Sequence, residues 1–185
     1  QLHETIPDFH NTTRRFYNFV ASVAADRAGR VAGAEDEIEF FFERRRMMGS
    51  IVKMLEKGDI PYRVTHNDTK INNILIDQDT DKALCVIDLD TVMPGSSLYD
   101  FGDAIRFCAS TAAEDEPDTS KISLDMRAFR LFTEGFLSET NGFLTEEELR
   151  NLPLGVLVIT CELAMRFLTD YMDGDIYFKV RSPEH

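Results

Sequence analysis

Val64-Thr65-His66-Asn67-Asp68-Thr69-Lys70-Ile71-Asn72-Asn73-Ile74-Leu75, followed by Ala83-Leu84-Cys85-Val86-Ile87-Asp88-Leu89-Asp90, decides how the rest of the chain is read. It contains a His-x-Asp, an Asn five residues after that Asp, and an acid that closes a later apolar strand pattern. Those are the parts phosphoryl transfer needs: a carboxylate to orient and deprotonate an acceptor hydroxyl, and two oxygen ligands to hold magnesium against nucleotide phosphates. Asp68 takes the first role, and Asn73 with Asp88 the second. His66 is read as a brace for backbone rather than a proton carrier. Asp90 stays open between a second metal ligand, a substrate contact and a structural acid.

Outward from this stretch the pattern is helical. From Asn11, Phe16, Phe19, Val20 and Val23 recur at helical spacing until Gly29 and Gly33. Ile38, Phe41, Met48, Val52 and Leu55 predict one long second helix, stopped by Gly58-Asp59-Ile60-Pro61. Short β-rich pieces follow at residues 62–65, 74–76 and 83–87, the last two joined by a polar turn as a hairpin. After Met93-Pro94-Gly95-Ser96-Ser97, Leu98, Phe101, Ile105 and Cys108 predict a helix, and residues 112–120 an exposed acidic loop. Phe129, Phe132 and Phe136 mark another helix. Thr145 with Glu148 spells a capping box, Pro153 suits a first helical turn, and Val156, Ile159, Leu163 and Phe167 give a buried stripe. The expected fold class is α+β and mainly helical, one domain over residues 1–185, with a small β-hairpin carrying the catalytic loop at 64–95.

Composition narrows the partners. A formal charge of −13 over 185 residues argues against nucleic acid or an anionic membrane, which need clustered Lys and Arg. Arg44-Arg45-Arg46 lies inside a helical pattern and reads as a solvated face. No apolar run approaches the roughly 20 residues of a membrane span, and the start has no signal-peptide order, so a cytoplasmic location is expected. Cys85, Cys108 and Cys161 are odd in number and far apart, and are expected to be buried reduced thiols.

Two motifs compete with this reading. Asp100-Phe101-Gly102 spells a magnesium-binding tripeptide, but it sits in helical spacing, whereas the metal acid should leave a buried strand as Asp88 does. Asp100 is therefore expected at a helix start. Asp77-Gln78-Asp79-Thr80-Asp81 opens like a calcium loop, but Lys82 stands where that loop needs Gly, which leaves a solvated hairpin turn. Arg166 lies on a mostly apolar helix. From the residues alone it faces solvent, pairs with Glu162 or Asp170, or, ranked last, binds substrate.

At these residues the chain resembles the aminoglycoside phosphotransferase and choline kinase superfamily, whose loop typically reads His-Gly-Asp-x4-Asn, with Asn67 here in place of Gly. Val86-Ile87-Asp88-Leu89-Asp90-Thr91-Val92-Met93-Pro94-Gly95 is similar to the N-acetylhexosamine 1-kinase group, as are Ile6-Pro7-Asp8-Phe9-His10-Asn11-Thr12 and the segment from Phe167 to Lys179. The resemblance implies ATP and Mg2+ as cofactors, Asp68 as base, Asn73 and Asp88 as metal ligands, and Arg166 and Tyr177 as sugar contacts. The implied reaction moves the ATP γ-phosphoryl to the anomeric hydroxyl of an N-acetylhexosamine. Alternatives are a kinase for aminoglycosides or another cationic acceptor, and a nonenzymatic, pseudokinase-like binding module.

Such enzymes also use a phosphate-covering loop and a strand Lys. None of the ten Gly forms a Gly-x-Gly, and the only Lys before the loop, Lys53 and Lys57, lie in a helical pattern. The chain is thus expected to be the carboxy-terminal lobe of a protein-kinase-like fold, ending early at residues 180–185, with its amino-terminal lobe elsewhere in the same protein. Residues 1–185 alone are expected to show little or no ATP-dependent sugar phosphorylation; normal turnover in that assay would overturn the expected inactivity.

Overall fold

The computed structural model describes residues 2–113, 116–140 and 142–178. The expectation for residues 180–185 lies outside them, as do Glu114 and Asp115 of the predicted acidic loop. Six α-helices and four short strands make up the described chain: α1 (Thr12–Ala25), α2 (Glu35–Met48), α3 (Ser50–Lys57), β1 (Arg63–Thr65), β2 (Ile74–Ile76), β3 (Ala83–Val86), β4 (Met93–Gly95), α4 (Ser97–Cys108), α5 (Met126–Thr140) and α6 (Glu146–Asp173). The fold is mainly helical α+β, as expected. β2 and β3 form the predicted hairpin, Ile74 opposite Val86. β1 instead pairs antiparallel with β4, Thr65 opposite Met93, so residues 93–95, just ahead of the predicted helix, close a second two-stranded ribbon beside the loop from His66.

α6 is the central helix, packed against α1, α2 and α4. Its crossing with α4 is backbone to backbone. A Cβ on Gly155 would collide with the Leu98 carbonyl, and one on Gly102 would meet the Gly155 carbonyl, so both positions need glycine for lack of space rather than for a special φ. This contact seats Leu98, Phe101, Ile105, Val158 and Ile159 in one apolar cluster, where the ring of Phe101 meets those of Phe132 and Phe136 at 6.0 and 5.0 Å. A second cluster joins Phe16 and Phe19 of α1, Ile38 and Phe41 of α2, and Met165 and Met172 of α6. By length and hydropathy α6 could cross a bilayer, contrary to the expectation from sequence. Here it carries the buried acids Glu148, Glu162 and Asp170 within the fold.

Three further expectations are corrected. The long second helix breaks at Gly49, where the Thr12 hydroxyl donates to the Met48 carbonyl and the Ser50 hydroxyl to Met47. These tertiary and capping bonds are invisible to apolar periodicity. Pro153 lies inside α6 rather than in its first turn, because the Thr145–Glu148 capping box starts the helix at Glu146. Cys85 is exposed, since both faces of the β2–β3 hairpin are open; Cys108 and Cys161 are partly buried, and burial raises both thiols above their ordinary pKa.

Glu148 does more than cap. Its carboxylate, 1% exposed, accepts from the Arg63 guanidinium at 2.9 and 2.7 Å, from the Ser97 hydroxyl at 2.9 Å and from the Thr145 amide at 2.7 Å. It joins β1, the start of α4 and the start of α6. Burial opposes its charge, but Arg63, the amide and the hydroxyl outweigh that and hold the carboxyl at about 2. A depressed folded pKa stabilises above the unfolded value near 4.5 and is lost as pH falls toward 2. Glu148→Gln is expected to cost on the order of 3 kcal/mol at neutral pH, because it leaves Arg63 without its charge partner. In urea unfolding across pH, the gap from the parent should shrink below about pH 4.5.

Candidate functional site

The loop from His66 to Asn73 is held by residues on both ribbons and on α4. Thr65 donates its hydroxyl to the Met93 carbonyl at 3.1 Å, and Thr91 donates to the His66 carbonyl at 2.7 Å. Asn67 sits in the left-handed region at φ 65°, which Gly adopts freely and Asn tolerates. Its buried side-chain amide also donates to the Thr91 carbonyl at 2.9 Å. Asn at this position therefore keeps the backbone turn and adds a tie that Gly lacks. Gly95 completes the packing, since a Cβ there would press on Thr65 Oγ1 and Asn67 Oδ1.

Asp100, in the first turn of α4, accepts the amides of His66 and Asn67 at 2.9 and 2.7 Å, and its own carbonyl accepts the Thr69 hydroxyl at 2.6 Å. The Asp100-Phe101-Gly102 motif thus anchors the loop from a helix start. Burial pushes the Asp100 carboxyl above its ordinary pKa, against the pull of those two amides and of His10 and His66. His66 braces backbone. Nε2 lies 3.0 Å from the Ile87 carbonyl and Nδ1 faces the Asp68 amide at 3.3 Å, so both ring nitrogens meet backbone.

Asp68 is half-buried. Its Oδ2 accepts from Asn73 Nδ2 at 3.1 Å, and Lys70 Nζ lies 3.4 Å from Oδ1. The same Asn73 amide donates to the Asp68 carbonyl at 2.8 Å, which leaves the Asn73 side-chain oxygen as its metal-competent group. The Asn73 carbonyl accepts the Ile87 amide at 2.9 Å, so Asn73 and Asp88 are brought together across the hairpin. Asp88 follows at φ 61°, exposed. One amide oxygen and one carboxylate suit magnesium, which takes one or two protein ligands and completes its shell with water and phosphate. Among the described residues no group of three or more His, Cys, Asp or Glu forms a ready-made cage. Asp90 is exposed on the turn after Asp88, and its carbonyl accepts the Thr5 hydroxyl at 3.1 Å.

Arg166 and Tyr177 meet in a cavity of about 300 Å³ that Phe9, Arg15 and Phe178 also line. The Arg166 guanidinium lies 5.8 Å from the Tyr177 ring centroid and 5.7 Å from that of Phe178. It pairs with neither acid considered from sequence. Glu162 is taken by Arg15 at 3.1 Å and by His10. Asp170 accepts the amides of Ile176, Tyr177 and Phe178 at 3.0, 2.8 and 2.8 Å, which folds the end of α6 back so that Tyr177 reaches the cavity.

Sequence reasoning missed Lys70, Asp170, and the set His10, Arg15 and Glu162. Lys70 was visible as the one cation between Asp68 and Asn73. Glu162 and Asp170 were visible as acids on the buried side of an apolar helix, where each must find partners. Nothing in the sequence ties His10 to Asn67.

The model of the phosphotransferase enzyme family, APH, matches residues 1–128, more than half of the chain and all of the loop, hairpin and α4 anchor just described. The chain belongs to this family, whose members are typically ATP-dependent kinases working with Mg2+. Arg166 and Tyr177 lie beyond the matched residues.

Asp100→Ala removes two hydrogen bonds to a charged acceptor, each contributing about 1.5–3 kcal/mol. Backbone amide exchange at His66 and Asn67 is expected to accelerate at least about tenfold, while exchange in the middle of α6 stays unchanged.

Proposed function

We propose that this chain carries the acceptor and magnesium side of an ATP-dependent kinase that phosphorylates the anomeric hydroxyl of an N-acetylhexosamine. The observation that carries the proposal is the linkage of Asp68, Asn73 and the Asp88 turn by hydrogen bonds, beside a loop packed on α4. Asp68 accepts the proton of the acceptor hydroxyl and aims its oxygen at the γ-phosphorus. Lys70, beside that carboxylate, offsets negative charge on the transferring group. Asn73 and Asp88 would hold magnesium, which supplies charge neutralisation on the nucleotide phosphates. Nearly all the protein's work is then positioning and electrostatics.

The cavity supports a sugar over a cationic acceptor. Arg166 and Arg15 face it, the second close enough to the first that their repulsion adds to burial in lowering the Arg15 pKa. Two guanidiniums disfavour a polycationic aminoglycoside but can donate to hydroxyls or to an N-acetyl carbonyl, as Tyr177 can. The net charge of −13 favours cations at long range, but charges lining a cavity act with less screening than the distant surface. Nucleotide-covering elements from outside these 185 residues complete the reading. The hairpin leaves Leu84 and Val86, two residues apart on one face of β3, exposed at 64 and 52%, an apolar face suited to being covered.

In the full-length protein, a panel of N-acetylhexosamines, unmodified hexoses and aminoglycosides with ATP should give turnover on the N-acetylated sugars. Asp68→Ala is expected to lower kcat by roughly 10²–10⁴-fold. Tyr177→Phe should raise the acceptor KM about tenfold with kcat little changed, the effect of one lost hydrogen bond. Turnover on aminoglycosides alone would sink the sugar assignment, and intact turnover in Asp68→Ala would sink the base.

A further inference from the structure

His10 lies outside every role assigned above, yet it touches the catalytic loop. Its Nδ1 is 3.1 and 3.2 Å from the two carboxylate oxygens of Glu162 on α6, and its Nε2 is 3.0 Å from the carbonyl of Asn67, next to Asp68. Both partners are acceptors. A neutral imidazole has one N–H and can satisfy only one of them; an imidazolium satisfies both. The extra proton could instead sit on Glu162, but Arg15 Nε at 3.1 Å from Oε1 favours the ionised carboxylate. The proton therefore belongs on the ring.

The bridge has a mechanical consequence. Asp100 fixes the N–H of Asn67 and His10 fixes its carbonyl, so the left-handed residue before Asp68 is held on both sides. Because the peptide unit is planar, holding that carbonyl also orients the Asp68 amide and Cα. Glu162 in turn ties the ring to α6 and to Arg15, which donates to the Phe9 carbonyl. One contiguous path runs from the cavity of Arg166 and Tyr177 to the loop that bears Asp68.

We propose that His10 is a positioning residue for phosphoryl transfer, acting as a buried imidazolium bridge that holds the Asn67–Asp68 peptide against Glu162. This rests on the reading of Asp68 as the base. The titratable groups around the ring are Glu162 of α6, Arg15 of α1, Tyr99 and Asp100 of α4, Glu4 and Asp8 of its own segment, and Tyr62 before β1. Burial opposes the ring's charge and Arg15 repels it. Glu162, by charge and hydrogen bond, and the Asn67 carbonyl outweigh both, so the ring's pKa is raised. With a raised folded pKa the bridge is complete below the ordinary value of 6.5 and is lost as pH rises through the folded one.

In the intact protein, ¹⁵N NMR should find both His10 ring nitrogens protonated at pH 6.5, with deprotonation only at higher pH. A ring that is neutral at pH 6.5 overturns the imidazolium bridge. His10→Ala should lower kcat roughly 10- to 100-fold, the scale of a misplaced catalytic group, while the KM values for ATP and acceptor stay within about twofold. The parent's kcat is expected to fall at alkaline pH as the ring deprotonates, and His10→Gln, which can still donate to the Asn67 carbonyl but cannot titrate, should recover part of kcat and lack that fall. Faster exchange of the Asp68 amide in His10→Ala, with α6 unchanged, separates loop release from unfolding. A kcat within twofold of the parent in His10→Ala, alongside a large loss in Asp68→Ala, overturns the positioning role alone. Intact turnover in Asp68→Ala overturns the base reading and this role with it, whatever the ring's charge.

Discussion

The carboxylate of Asp100, accepting the backbone amides of His66 and Asn67, is the contact through which the helical scaffold controls the chemistry. The loop has little regular structure of its own, being bounded by strands of three residues. Its backbone donors must be satisfied from outside, and a carboxylate at the start of a helix is a strong acceptor for two adjacent N–H groups. Asp100 can be there only because α4 runs close against α6. That approach depends on Gly102 and Gly155, where any side chain would meet backbone. A packing requirement between two helices thus sets the position of a loop that contains neither glycine.

Charge runs through the same contacts. Asp100 is buried, and burial raises its pKa; the two amides it accepts and the nearby histidines oppose that shift. His10 likewise depends on Glu162, which depends on Arg15. Removing one member leaves another charge buried without its counterpart, which is costlier than the pair itself is stabilising. The set is therefore a poor place to look for stability and a good place to look for precision.

How much could be read in advance depended on the range of the interaction. The capping box at Thr145, the hairpin of β2 and β3, and the helical placement of Asp100 are local, and each was legible from spacing. The break at Gly49 was not, because it depends on a hydroxyl 36 residues away, from Thr12 to the Met48 carbonyl. The β1–β4 ribbon was not, because Pro94 and Gly95 read as turn residues and their strand character comes only from the partner. His10 was the least legible of all. Its partners lie 57 and 152 residues away, and a lone histidine before a helix cap carries no signal of either.

The exposed hairpin and the held loop divide the site into two mechanical halves. His66, Asn67 and Thr69 are tied to α4, and Asn67 also to α6 through His10, so the geometry of Asp68 between them follows the core. Asp88 and Asp90 lie on an exposed turn whose neighbours Leu84, Val86 and Leu89 face solvent. The seam between the halves is a small number of bonds: Ile87 to Asn73, the His66 ring to the Ile87 carbonyl, and Thr91, which donates to the His66 carbonyl and accepts from the Asn67 side-chain amide. Segments with few buried apolar contacts open at low cost. The Asp68 side is thereby preorganised, while the Asp88 side is free to adjust. On the proposed assignment of Asp68 as base and Asp88 as metal ligand, preorganising the first matters more than preorganising the second, whose ion would arrive with the nucleotide.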